Sequence, residues 1–191
     1  MTLTHLIPSL RASVPNPLGR DLWPEFTTTS VSDVTVAGVS LTRLAEWCGT
    51  PCVHTAAAVI PGTGGMPSAT EVASVIVTRV TRVATAADGT VDVWIDACLT
   101  DSAVAAAVVV VAELRMIGRV STACDARTRA HSAGEAAAPL TLDELVSDLR
   151  VGDLLAVPCR GTALLREVDP DRRHLHGDEA SDAWTPAGCG R

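Results

Sequence analysis

The sequence predicts a mainly β protein, a single barrel of about six to eight strands covered by one or two short helices. Three observations carry that expectation. Hydrophobic residues make up 47% of the chain but aromatics only 3%, so Ala and Val must fill the core, and Val and Thr favour strands. The stretch "EVASVIVTRVTRVATAADGTVDVWIDACL" has a hairpin pattern, with Val75, Val77, Val80 and Val83 before an Asp88-Gly89 turn and Val91, Val93 and Ile95 alternating after it. The longest apolar run, "AVAAAVVVVA" at residues 103–112, is closed by Asp101 and Glu113. It is too short to span a bilayer as a helix, which takes about 20 residues, and reads as a buried strand.

Residues 1–32 form an irregular arm punctuated by Pro8, Pro15, Pro17 and Pro24. Residues 33–168 are the expected β domain. It opens on "DVTVAGVSL", a strand pair turning at Ala37-Gly38. Ser40 is placed as an N-cap for a short helix in which Leu41, Leu44 and Ala45 share a face, and Gly49 and Pro51 stop it. Residues 52–71, centred on "PGTGGMP", read as a linker. "LRMIGRVSTACD" follows the apolar run, and "TRAHSAGEAAAPL" reads as a polar loop. "LTLDELVSDLRVGD" looks helical, with Leu142, Leu145, Val146 and Leu149 on one face. "DLLAVP" is a short buried strand, and residues 169–191 are a charged tail expected to be mobile.

Composition removes several function classes. Net charge is −7 with no basic cluster, which argues against nucleic acid. All 15 basic residues are arginine. Without a lysine this chain cannot hold pyridoxal phosphate as a Schiff base, and no cofactor is expected. Tyrosine is absent too. The start lacks a charged segment followed by an apolar run, so a cytoplasmic protein with no membrane partner is expected. The six cysteines are then expected as reduced thiols, and they show no paired spacing for zinc. The H-x-H of His174 and His176 sits in a charged run, and no metal is expected. His54 and His131 are placed in loops. "EWCGTPC" looks like a thioredoxin site, but three residues separate Cys48 from Cys52. Cys48 would also end a helix, where the dipole disfavours a thiolate.

Two segments carry a family resemblance. "VAGVSLTRLAEWCGTP" resembles the amino-terminal signature of the diaminopimelate decarboxylases, and "VGDLLAVPCRGTALL" resembles their "GDLLAVP-x-x-GAY" segment. "VDVWIDACLTDS" looks like the family's "VDGGMSDN", and "IGRVSTACD" is similar to "GRHCESGD". The resemblance implies a truncated decarboxylase-like chain with the Greek-key-like β-barrel of that family's C-terminal domain. The family's TIM barrel, roughly 250 residues carrying the Schiff-base lysine, is replaced by about twenty residues at 52–71. The motifs depart where the family contacts its cofactor. The "CESGD" cysteine falls on Ser121, its glutamate on Thr122 and its aspartate on Asp125; the "GAY" tyrosine falls on Ala163; the "DGG" glycines fall on Ala97 and Cys98. The resemblance therefore implies the fold and speaks against the family's reaction.

Asp96, Asp101 and Glu113 are the candidate catalytic carboxylates. Asp96 and Asp101 also read as strand-end turn residues bonding backbone amides, and Glu113 as a surface strand end. Trp94, Cys98, Ser121, Thr122, Cys124 and Asp125 are the candidate substrate contacts; Trp94 also reads as core bulk, and the Ser121–Asp125 segment as a turn. The leading functional expectation is a repurposed, cofactor-independent scaffold. It would bind an apolar small molecule and promote its cyclisation or isomerisation by holding a reactive conformer. The alternative is a non-catalytic pseudoenzyme binding a decarboxylase or another protein, or pairing as a homodimer. A dithiol redox protein comes third.

Overall fold

The computed structural model describes residues 18–99, 109–110, 115–118, 126–133, 140–145, 148–169 and 171. The chain is mainly β, as expected. A 3-10 turn at Arg20–Leu22 precedes β1 (Thr28–Thr29), β2 (Val34–Val36) and β3 (Val39–Ser40), which form a small antiparallel sheet. Ala37 and Gly38 join β2 to β3 with φ of 48° and 83°. Two successive positive φ values make the tight turn whose twist matches a hairpin.

Helix α1 (Leu41–Cys48) follows immediately. Ser40 Oγ accepts from the Arg43 amide at 3.2 Å and donates to Asp33 Oδ2 at 2.5 Å. Asp33 Oδ1 also accepts from the Thr42 amide at 3.1 Å, so two side chains satisfy the first turn's orphan donors. Gly49, at φ 74°, ends the helix and donates to the Ala45 carbonyl at 3.0 Å. The expected face holds: Leu41 and Ala45 are buried and Leu44 packs beside them.

The second sheet has eight strands: β4 (Cys52–Val59), β5 (Pro67–Thr85), β6 (Val91–Ile95), β7 (Val109–Val110), β8 (Arg115–Ile117), β9 (Ala126–His131), β10 (Leu140–Leu145) and β11 (Leu154–Arg160). Its order is β10-β9-β6-β5-β11-β7, with β4 also on β5 and β8 also on β11. β5 is the spine. Its first half lies between β4 and β11; beyond an irregularity between Val80 and Arg82 it pairs with β6. The β5–β6 hairpin turns at Asp88-Gly89 as expected, with Asp88 Oδ1 accepting from the Thr90 amide at 3.0 Å.

Two cores lie on the two faces of β5. Trp23, Val34, Val36, Leu41, Val75 and Val77 fill one, beneath α1 and the small sheet. Ile76, Val80, Val93, Ile95, Leu155 and Val157 fill the other, inside the curl of β6, β9 and β11, where Val168 of the short helix α2 (Leu165–Val168) also packs. Residues 73–78 are therefore buried on both faces, and Val75 and Ile76 are wholly inaccessible. Strand order among the described residues stays open, with no closed barrel.

Several local expectations are corrected. Residues 52–71 are not a linker throughout: β4 pairs with β5 from Cys52↔Val77 to Val59↔Pro67, and only the Pro61–Gly65 centre turns. Residues 126–131 and 140–145 are strands paired antiparallel, not a loop and the start of a helix. His54 and His131 accordingly lie on β4 and β9. Of the 103–112 run, Val109 and Val110 are seen as strand. No helix among the described residues is long and apolar enough to cross a membrane.

Candidate functional site

Alternation along β6 builds the site. Val91, Val93 and Ile95 point into the core, so Asp92 and Trp94 point outward. Trp94 is thus not core bulk. It lines a cleft of about 510 Å3 with Thr50, Pro51, Asp96, Ser132 and Asp169. The end of β6, the start of β4 and the end of β9 converge there because β4 and β6 follow one another along the same edge of β5.

Asp96 ties that junction together. Its Oδ1 accepts from Thr78 Oγ1 at 2.6 Å and from the Arg79 amide at 2.8 Å. Its Oδ2 accepts from Thr50 Oγ1 at 2.6 Å. Thr78 Oγ1 in turn accepts from the Ala97 amide at 3.2 Å. The carboxylate is held as an acceptor on both oxygens, the geometry of a structural clamp rather than of a poised acid.

The outer row is ionic and aromatic. Arg82 on β5 lays its guanidinium 4.4 Å from the Trp94 ring centroid. His131 on β9, in register with Trp94, stacks on it at 4.6 Å with 11° between planes. His131 Nε2 is 2.9 Å from Asp92 Oδ1. Arg129 Nη2 donates to Asp92 Oδ2 at 3.2 Å, and its Nε makes a 2.9 Å ion-pair contact with Oδ1. The hydrogen bond from His131, with the Arg129 charge beside it, holds the Asp92 carboxyl below the usual range.

Of the expected site residues, the structure brings Trp94 and Asp96 together. Cys98 is buried and lies outside the cleft lining; its amide donates to the Val168 carbonyl at 2.8 Å. Asp101, Glu113, Ser121, Thr122, Cys124 and Asp125 lie outside the described residues. Thr50, Thr78, Asp92 and His131 were missed. For Asp92 the signal was present, since the pattern that sends Val91, Val93 and Ile95 inward sends it out.

In "EWCGTPC" the second thiol is not primed. Cys48 is exposed at the helix end, and burial, with the neighbouring Cys48 and Asp96, pushes the Cys52 thiol up to about 11. Among the described residues no three His, Cys, Asp or Glu side chains gather as metal ligands. No protein-family model matches the chain, and no curated protein matches it.

Proposed function

We propose that the protein is a truncated, decarboxylase-like β scaffold that works without pyridoxal phosphate, binds a small, largely apolar molecule in the Trp94–Asp96 cleft and promotes its cyclisation or isomerisation. The observation that carries the reading is the cleft itself, where an indole wall and an anchored carboxylate meet on three strands. Rate enhancement there would come from holding a flexible substrate in one reactive conformer. Asp96 is already committed to three donors, so its part is to fix the cleft wall and present a fixed negative charge.

The test is deletion of the gene in its native host, mass-spectrometric comparison of metabolites, and return of the purified chain to the extract. Conversion of an accumulated compound to an isomer or dehydrated product, with no cofactor added, is the expected result. An extract left unchanged by the returned protein removes catalysis.

A second reading rests on different residues. Phe26, Trp47, Met66 and Val151 are large apolar side chains at 68%, 76%, 59% and 67% exposure. Such exposure fits a pseudoenzyme that docks on a protein partner or on its own copy. It predicts that Trp47→Ser abolishes co-purification of a partner, or dimer formation, and leaves the fold intact.

A further inference from the structure

At the opposite end of β5 lies a second cleft, of about 410 Å3, within the range of small-molecule sites. The 3-10 turn roofs it. Asp21 Oδ2 accepts from the Gly62 amide at 3.0 Å, and Arg20 Nη1 donates to the Gly64 carbonyl at 3.2 Å, so the turn is tied to the β4–β5 connection. Ala73 on β5 and Gly161, just past the end of β11, line the cleft; a methyl group and a bare Cα fill little of the space there. Trp23, Val59 and Val72 supply the apolar wall, and Val72 is 41% exposed.

Two oppositely charged side chains border this cleft. The side chains of Arg160 on β11 and Glu71 on β5 line the same cleft, and among the described residues neither makes an ion pair, with the other or elsewhere. Opposite charges that border one apolar cavity without pairing leave a place for a molecule carrying both complements.

We propose that this cleft binds a small apolar zwitterion with the chemistry of an apolar amino acid. Its carboxylate meets the Arg160 guanidinium, its ammonium meets Glu71, and its side chain lies on Trp23, Val59 and Val72. An anion alone would leave Glu71 unmatched, and a cation alone would leave Arg160 unmatched. The site is separate from the Trp94–Asp96 cleft and stands without it.

The full chain is titrated with L-norleucine, with hexanoate and with hexylamine, by calorimetry and by amide NMR. Norleucine is expected to bind about tenfold or more tighter than either singly charged probe, because each lacks one charge-assisted contact. Amide shifts should gather at residues 58–60, 71–73 and 160–162. Arg160→Gln and Glu71→Gln should each weaken norleucine by about tenfold. Both residues are exposed, so both variants keep their fold, which near-ultraviolet circular dichroism checks. The proposal is overturned if norleucine binds no better than hexanoate or hexylamine, if its shifts fall at Trp94 and Asp96, if either variant binds as the parent does, or if nothing binds up to about 10 mM.

Discussion

Asp96 receives hydrogen bonds from Thr50, Thr78 and the Arg79 amide, and removing its carboxylate takes the shared acceptor from all three donors. Asp96→Ala should therefore lower stability by about 2–3 kcal/mol, read as a shift in urea midpoint. Thr81→Ala, which removes only an exposed hydroxyl bonded to the Trp94 carbonyl, should change it by less than about 0.5 kcal/mol. Acid should act through Asp92 and Asp88, whose carboxyls are both held low, Asp92 chiefly by His131 and Asp88 chiefly by the Thr90 amide. A depressed carboxyl binds its proton first in the unfolded chain. Its stabilisation is present above the unfolded value of about 3.9 and is lost as pH falls below it through the folded value. Urea midpoints measured from pH 5 down to pH 2.5 should fall, and Asp92→Asn should flatten that fall. Among the four described cysteines, Cys48 should take iodoacetamide first at pH 8. Burial pushes Cys159 up to about 12 and Cys52 to about 11, and peptide mass mapping reads the order.

Helix α1 rests on its N-cap, and Ser40→Ala should cost about 1 kcal/mol in thermal or urea unfolding, with the Asp33 network loosened as well. Elements of this kind are legible in the sequence because their determinants are local: a cap, a helical face, a stop glycine, a two-residue turn. The β5–β6 hairpin is legible for the same reason. Even its irregularity is written there, as the three-residue step from Val80 to Val83 that breaks the alternation. Strands β4, β9 and β10 are not legible, because pairing with a neighbouring strand, rather than their own residue pattern, makes them. β4 is Ala-rich with little side chain to alternate, and becomes a strand by pairing along β5. β9 runs parallel to β6, which no turn signal announces. Leu142, Leu145, Val146 and Leu149 have helical spacing, yet pairing with β9 overrides it for residues 140–145. At the site, alternation on β6 reveals which way Trp94 faces. Asp96's clamps stand 46 and 18 residues away, and only the folded sheet brings them together.

For the molecule as a whole, one strand serves two cores. Ile76 sits in one and Val75 and Val77 in the other, with β4 and β11 paired along the edges. Ile76→Ala should cost about 2–5 kcal/mol, and its effect should appear equally in probes of either core, such as the Val75 and Val93 methyl resonances followed through urea unfolding. Neither core can open alone without stripping the strand on which the other is built. The amides of residues 74–78 therefore have no partial route to solvent. In deuterated buffer they should exchange last and together, at the free energy of complete unfolding, while amides of the small β1–β3 sheet exchange through cheaper local openings. The slowest-exchanging protons in this protein would then measure its global stability without any denaturant.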